Sequence, residues 1–146
     1  MTFTKRVLPA LLAAATVAIA GFAQNAVAAS GGYGSSAAAP TIYSKNIWYN
    51  VAFPVVGTPA SGATVRMVYY SWSYSTPRPS GFVVWLCDNN GNKCSDVTAA
   101  ASGSVDFASR NIPANQSLRL YSGVSGTGTM SPLYGGSSNV TVNWSN

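Results

Sequence analysis

The chain has 146 residues, of which 47% are hydrophobic and only 8% are charged, and its formal net charge is +5. It contains no His and no Glu, so it lacks the side chains that most acid–base catalysis uses. We therefore expect a protein that binds or braces something, without a cofactor, rather than an enzyme.

The first 28 residues have the three-part layout of a secretory signal peptide. Lys5 and Arg6 form a positive head, residues 7–23 are mostly apolar, and Ala26-Val27-Ala28 offers a cleavage site. The alternative is a membrane anchor, but the apolar run is short for a span and Gln24 closes it. The pattern predicts export to the periplasm or beyond, with no membrane span after cleavage.

Cleavage would leave about 118 residues, which suits one domain. We expect residues 29–39, which are Gly-, Ser- and Ala-rich, to form a flexible leader, and residues 40–146 to form the folded domain. Without Lys5 and Arg6 the formal charge falls from +5 to +3, and the remaining cations are scattered singly. Nucleic-acid binding uses clustered cations, so no nucleic-acid partner is expected.

Residues 41–53 mix β-forming and polar residues, which predicts one or two strands with an irregular middle. Prolines and glycines mark a connection over residues 54–62. Large apolar residues then recur at every second position, at Val68, Tyr70, Trp72 and Tyr74. A period of two predicts a strand with one buried and one wet face, and it places Tyr69 on the opposite face.

Residues 76–81 read Thr-Pro-Arg-Pro-Ser-Gly, and proline lacks the N–H that an interior strand needs. We predict a rigid connection that leads into a strand over residues 82–86. That strand is apolar at every position, which indicates that both of its faces are covered and that it is the central strand.

Cys87 and Cys94 flank the sequence DNNGNK, whose Asn90-Gly91 pair is a strong hairpin signal. Two cysteines at the mouth of one hairpin lie at a plausible bridging distance, and an exported protein meets an oxidising compartment. We therefore predict a disulfide between them. A redox pair and a metal site are the alternatives, but the spacing is not Cys-x-x-Cys and no His could complete a zinc shell.

The rest of the chain predicts short strands separated by turns. We expect strands near Val105 and Phe107, over residues 117–121 and over residues 139–144, and loops over 98–103 and 122–129. Outside the signal peptide no segment has apolar residues at helical spacing, so essentially no helix is expected. Together the elements predict an all-β fold, an antiparallel β-sandwich of about seven to eight strands with one hairpin disulfide.

The four tryptophans divide into a candidate core and a candidate surface. Trp72, Trp85 and Trp144 are in phase with other apolar residues, so we expect them in the core. Trp48, Tyr49 and Tyr43 lie in a less regular stretch and form the candidate exposed aromatic cluster, with Trp48 and Tyr49 as the candidates for binding a partner.

Arg78 is held between Pro77 and Pro79 on the predicted rigid connection. A cation on a stiff loop suits recognition of a carboxylate or phosphate of a partner, while the alternative is an ordinary solvated charge.

Asp88, Asp96 and Asp106 are the only carboxylate side chains. Their spacing neither positions a catalytic pair nor completes a calcium loop. No Gly-x-Ser-x-Gly elbow is present, and no serine has a histidine partner. The sequence predicts neither a catalytic nor a metal-binding residue.

A series of short motifs runs from Tyr70 to Trp144. In chain order they are Trp72, Thr76-Pro77, Pro79-Ser80-Gly81, Leu86-Cys87, Cys94, Phe107, Ile112-Pro113-Ala114, Leu118-Arg119 and Asn139-Val140-Thr141-Val142-Asn143. Taken together they resemble the flagellar protein FlhE family. The resemblance implies a periplasmic β-sandwich with one disulfide, and a role at the flagellum in limiting proton leak through the export apparatus and in assembly.

The leading hypothesis is an accessory protein that acts by contact with a flagellar export or basal-body protein. The terminal strand, residues 138–145, would pair with an extended partner by strand addition, with Val140 and Val142 at the contact. The alternative is a carbohydrate-binding or adhesin-like envelope module that uses Trp48 and Tyr49 to bind a glycan. A structural subunit of an appendage is the third hypothesis.

Overall fold

The structure, a computed structural model, describes residues 28–146. The predicted signal peptide, residues 1–28, therefore lies outside the described residues except for Ala28. The strands are, in chain order, β1 (Ser30–Ala38), β2 (Tyr49–Phe53), β3 (Thr64–Ser71), β4 (Phe82–Cys87), β5 (Cys94–Asp96), β6 (Ser102–Asp106), β7 (Leu118–Val124) and β8 (Ser137–Ser145). A single 3-10 turn, Ala108–Arg110, lies between β6 and β7, and the all-β prediction is confirmed.

The strands form two four-stranded antiparallel sheets over one hydrophobic core. Sheet I has the order β1-β8-β3-β6 and sheet II the order β2-β7-β4-β5. Both sheets supply side chains that are almost fully buried, for example Val68 from sheet I and Phe53 and Leu120 from sheet II. Each strand that alternates apolar and polar residues turns its apolar side to this core. The β-sandwich predicted from the sequence is confirmed.

The long strand β3 follows the predicted alternation, with one irregularity. Val68 and Trp72 are buried and Tyr69 is exposed on the opposite face, as the period of two requires. The register against β8 shifts between Val65 and Val68, which brings both valines into the core although three positions separate them. An extra residue of this kind changes which side chains face inward.

The predicted flexible leader, residues 29–39, is wrong, because most of it forms β1. All nine residues of the strand pair with β8, from Ser30 opposite Ser145 to Ala38 opposite Ser137. Such a Gly- and Ser-rich segment buries too little apolar surface to order by itself, but the backbone groups of β8 give it a hydrogen-bonding partner. The folded domain therefore begins at Ser30 rather than near Pro40.

Strand β4 is an interior strand of sheet II, as predicted, but the face that carries Trp85 is only partly covered. Phe82, Val84 and Leu86 are buried, whereas Trp85 between them is 38% exposed. Burial therefore alternates along β4 even though every residue from Phe82 to Leu86 is apolar. The expectation that Trp85 lies in the core is wrong, and the expectation that both faces are covered holds only in part.

Two predicted loops are shorter than expected. Strand β7 continues to Val124, inside the stretch 122–129, and β6 begins at Ser102, inside the stretch 98–103. No helix in the part of the chain that the structure describes is both long and apolar enough to cross a bilayer.

Candidate functional site

The predicted disulfide is present at the mouth of the β4–β5 hairpin. Cys87 and Cys94 are directly opposite each other in the two strands, and their sulfur atoms are 2.01 Å apart. The buried carboxylate of Asp88 accepts hydrogen bonds from the backbone N–H groups of Asn92 and Lys93, at 2.7 and 3.1 Å. Gly91 takes the positive φ, 72°, that the turn requires. The disulfide and the hydrogen bonds of the Asp88 carboxylate together hold the hairpin in this conformation.

An aromatic cluster, which we call the tryptophan patch, lies on the outer face of sheet II. It consists of Trp48, Trp85 and Tyr121. The ring centroids of Trp48 and Trp85 are 5.7 Å apart with planes tilted by 51°, and the two side chains are 51% and 38% exposed. With Asn90, Gly91 and Cys94 of the hairpin, the patch lines an open depression of about 440 Å³. Two exposed tryptophans in contact form an apolar surface available to a partner.

Strand register explains why these side chains meet. Trp85 in β4 is opposite Tyr121 in β7, which is opposite Asn50 in β2, and Trp85 is also opposite Asp96 in β5. Residues directly opposite each other in an antiparallel sheet share a face, so these four side chains form one row across the outer face of sheet II. Trp48 is two residues before Asn50, on the same face, and contacts Trp85 from the neighbouring row.

Polar side chains border the tryptophan patch. Hydrogen bonds from the Thr98 hydroxyl, from its backbone N–H and, least, from the Trp85 side chain lower the pKa of Asp96 below its ordinary value of 3.8. On the other side, the Arg119 guanidinium donates hydrogen bonds to Asn50 Oδ1 at 2.7 Å and to the backbone carbonyl of Asn89 at 3.1 Å. The patch is thus an apolar centre with a hydrogen-bonding rim, the usual composition of a binding surface.

Tyr49 does not join Trp48 on this surface. It is the first residue of β2 and faces the core, where it is half-buried. Its hydroxyl oxygen accepts hydrogen bonds from the backbone N–H groups of Tyr43 and Ser44, at 3.3 and 3.2 Å. Tyr49 therefore braces the loop before β2, and Trp85 takes the place beside Trp48 that the sequence suggested for Tyr49.

Arg78 is exposed, and aromatic rings hold it in position. Its Cζ atom lies 4.7 Å from the ring centroid of Trp72 and 5.9 Å from that of Phe82. Those rings belong to a packed group in which Tyr74 contacts Phe82 at 5.2 Å between centroids and Trp72 donates its indole N–H to the carbonyl of Val97. The guanidinium therefore covers the edge of the core rather than extending freely into solvent.

The Arg78 loop also lines an open depression of about 640 Å³, which we call the loop-end pocket. The other contributors are loops that precede β2 and β8, with Lys45, Met130 and Tyr134 among the lining residues. A shallower depression that contains Lys45 and Asn46 adjoins it, and Asn46 in turn lines a groove under Trp48. Sequence residues 45–48 thus connect the loop-end pocket with the tryptophan patch.

The terminal strand is not a free edge, which corrects the predicted mode of strand addition. Strand β8 is hydrogen-bonded to β1 on one side and to β3 on the other. Val140 and Val142 are 2% and 0% exposed, because they point into the core. An incoming strand would have to displace β1 before it could reach β8. These two valines are core residues and do not form a contact surface.

The three carboxylates are dispersed over the fold. Asp88 lies in the hairpin, Asp96 in β5 and Asp106 at the end of β6. Within residues 28–146 no group of three or more His, Cys, Asp or Glu side chains is placed to hold a metal ion.

Sequence reasoning missed two members of the tryptophan patch, Trp85 and Tyr121. The alternation of β7 places Tyr121 outward, opposite to the buried Leu118 and Leu120, but it does not show that Tyr121 lies beside Trp85. Trp85 carried no such signal because its neighbours in β4 are apolar on both sides. Tyr134, which is 62% exposed at the loop-end pocket, lies in an irregular segment where periodicity says nothing.

Comparison with known proteins agrees with the resemblance noted from the motifs. The family model described as "Flagellar protein FlhE" matches residues 45–145, a segment that begins after β1. A solved structure described as "Crystal Structure of FLHE" is similar to the chain, with a TM-score of 0.68 and 25% sequence identity. That similarity covers 79% of this chain and 96% of the other. No curated protein sequence matches the chain significantly.

Proposed function

This chain belongs to the flagellar protein FlhE family, and we propose that it is an exported accessory protein that acts by contact with a protein of the flagellar export apparatus. The family match over residues 45–145 is the observation that carries the proposal. The periplasm is its proposed compartment, because a signal peptide over residues 1–28 and a structural disulfide are both typical of exported proteins. Its proposed effect is to limit proton leak through the export apparatus, or to act there like a chaperone.

The tryptophan patch supports contact with a protein. Interfaces concentrate their binding energy in a few residues, and Trp and Tyr are the types most enriched among them. Trp48 and Trp85 are exposed, in mutual contact and surrounded by polar side chains, which is the arrangement expected at the centre of such a contact. We assign the partner-facing surface to this patch instead of the terminal strand.

Cytoplasmic pH after an external acid step tests the proposed effect. We expect a deletion strain to acidify faster than its parent, and only when its flagellar export gate is intact. Expression of the wild-type chain should restore the slower acidification. If the deletion strain with an intact gate keeps the pH of its parent, the proton-leak role is wrong.

The same assay tests the tryptophan patch with a matched pair of variants. Trp48→Ala removes half of the aromatic pair, whereas Tyr69→Ala removes an equally exposed aromatic side chain from the outer face of sheet I. We expect Trp48→Ala to fail to restore the pH response and Tyr69→Ala to restore it. Equal restoration by both variants would exclude the patch as the contact.

Binding of a glycan is the second candidate function, and the composition of the same patch favours it. A pyranose ring offers an apolar face of C–H groups and a rim of hydroxyls. Trp48 and Trp85 could stack on the apolar face, while Asn50, Asn90 and Asp96 could bond hydroxyls at the rim.

Tryptophan fluorescence titrated with peptidoglycan fragments and with capsular oligosaccharides separates the two functions. Saturable quenching that Trp48→Ala removes and Tyr69→Ala retains would support glycan binding. Unchanged fluorescence across these glycans, together with a positive acid-step result, would leave contact with a protein as the function.

A further inference from the structure

Arg78 differs from the other cations of the described chain in having no protein acceptor. Lys45, Arg66, Lys93, Arg110 and Arg119 each donate at least one hydrogen bond to a carbonyl or side-chain oxygen. Within residues 28–146 Arg78 makes only its two contacts with aromatic rings. Its N–H groups donate to no protein oxygen within that range, and the contacts with the two rings favour one position of the side chain.

The way in which Arg78 is held suits recognition of an anion. A contact between a guanidinium and an aromatic ring fixes the cation without using its N–H groups. The side chain is therefore partly ordered before a ligand binds, which lowers the entropic cost of forming new hydrogen bonds. Pro77 and Pro79 restrict the backbone on both sides.

The described residues around Arg78 favour binding of an anion, because they include a second cation and no acidic side chain. Arg78 and Lys45 both line the loop-end pocket, and no carboxylate is among its lining residues. The Lys45 ammonium is already bonded to the carbonyl of Thr127, at 2.6 Å. The depression is thus lined by two cations, of which Arg78 has no acceptor in the described chain, and by Pro, Met, Leu and Tyr side chains with a few hydroxyls.

We propose that the loop-end pocket binds a single carboxylate of an acidic peptide segment, with Arg78 as the residue that contacts it. The planar guanidinium can donate two parallel hydrogen bonds to a carboxylate, and the apolar walls can contact the aliphatic neighbours of that acidic residue. This inference rests on the proposed function, in which the chain binds a protein. It adds the chemistry of the recognised group and a second point of contact beside the tryptophan patch.

The types of cation in the pocket favour a carboxylate over a phosphate. A phosphate group carries between one and two negative charges near neutral pH and is usually bound by clustered arginines. Arg78 is the one arginine among the described residues that line the pocket, and the second cation, Lys45, donates to the carbonyl of Thr127, so the arginine cluster typical of a phosphate site is missing here. Inorganic phosphate therefore serves as the competing probe.

The ¹H–¹⁵N resonance of the Arg78 Nε–H group gives a direct test. The probes are acetyl-Leu-Glu-Leu-amide and its uncharged counterpart acetyl-Leu-Gln-Leu-amide. We expect the acidic peptide to shift the resonance saturably, and the Arg78→Gln variant to bind that peptide about tenfold more weakly, since two charge-assisted hydrogen bonds are lost. Arg66→Gln removes the same charge from sheet I and should bind like the wild type.

Three results would overturn the inference. They are an equal response to both peptides, unchanged affinity of Arg78→Gln, and displacement of the peptide by phosphate at lower concentration than by acetate. Because removal of Arg78 uncovers Trp72, Arg78→Met serves as a second variant that keeps a long side chain over the ring. Arg78→Lys retains the charge but loses the two-pronged geometry, so it should bind more weakly than the wild type.

The acid-step assay separates failure of this inference from failure of the proposed function. If wild-type chain restores the pH response and Arg78→Gln does not, while Arg66→Gln does, Arg78 is part of the contact. If all three restore it, the role of Arg78 is wrong and the proposed function stands. If the wild-type chain itself has no effect, the proton-leak function fails, and the peptide titration still decides whether the pocket binds a carboxylate.

Discussion

The indole ring of Trp144 lies over Gly31, its direct partner across the β1–β8 pair. A Cβ atom built on Gly31 would overlap the ring atoms of Trp144, so the absence of a side chain at this position is what allows the contact. Strand β1 has few apolar side chains of its own, and through this contact the Trp144 ring packs on its backbone. A small residue opposite an aromatic one is a recognised way to hold a glycine-rich strand in a sheet.

The first prediction concerns this pair. Gly31→Val should lower the free energy of unfolding by about 1–3 kcal/mol, since the ring must move to admit the new side chain. Gly34→Val, three residues further along β1, should have little effect or stabilise slightly, because nothing lies within 4 Å of its added Cβ and valine favours strands. Urea unfolding followed by tryptophan fluorescence measures both. Equal losses would show that β1 tolerates no valine at all, contrary to the role given to Trp144.

Alternation predicted the strands that have one polar and one apolar face, and it failed where strand pairing decides the structure. Strand β8 was visible because Val140 and Val142 alternate with exposed polar residues. Strand β1 could not be predicted in this way, because its sequence has almost no apolar pattern. It is ordered by backbone pairing with β8, which lies about 100 residues further along the chain. The same pairing makes β8 interior, and no local pattern reports the order of strands in a sheet.

The candidate site was predicted in part. Trp48 and Arg78 are exposed, and their role in binding stays a prediction, whereas Tyr49, Val140 and Val142 face the core. Trp85 was missed because an aromatic residue within an apolar run is indistinguishable from a core residue until the faces of the strand are known.

The second prediction compares two buried tyrosines. Tyr74 and Ser122 share a buried hydrogen bond of 2.5 Å between their hydroxyl oxygens. Tyr74→Phe should therefore destabilise the fold by about 1–3 kcal/mol, because the Ser122 hydroxyl loses its partner. The hydroxyl of Tyr33 has no hydrogen-bond partner within the described residues, so Tyr33→Phe should be neutral or stabilising.

A double variant provides the control for Tyr74. Adding Ser122→Ala to Tyr74→Phe removes both partners of the hydrogen bond, and most of the loss should be recovered. Stability is measured by chemical unfolding of the four proteins in the cycle. Additive losses would indicate that the two hydroxyls do not depend on each other.

The third prediction is a loss of stability in alkali. Burial raises the pKa of both Tyr33 and Tyr74 above the ordinary value of 10.0, partly opposed for Tyr74 by its hydrogen bond with Ser122. Because the pKa is higher in the folded state, the stabilisation is complete below pH 10 and is lost as pH rises from 10 through the folded pKa, by at most about 1.4 kcal/mol per pH unit for each tyrosine. Tyr33→Phe should reduce this slope. An unchanged slope between pH 10 and 12 would contradict the assignment to Tyr33.

The fourth prediction concerns the hairpin disulfide. Opening the bond between Cys87 and Cys94 should lower the free energy of unfolding by about 2.5 kcal/mol, the chain entropy that a loop of this length regains in the unfolded state. The paired variant Cys87→Ala/Cys94→Ala and reduction with dithiothreitol should agree, and reduction should not affect the variant. Since Cys94 lines the tryptophan patch, fluorescence of the native protein should also change on reduction.

The pairing of β1 with β8 has a consequence for the order in which the protein can fold. Sheet I joins residues 30–38 to residues 137–145, so two of its strands come from opposite ends of the described chain. A polypeptide that crosses a membrane with its N-terminus first delivers β1 early and β8 last. Until β8 emerges, β1 and β3 have no strand between them and the core is open on one side. Under the export proposed above, sheet I would therefore be complete only after β8 has crossed the membrane, and a chain halted before residue 137 would lack the strand that joins β1 to β3.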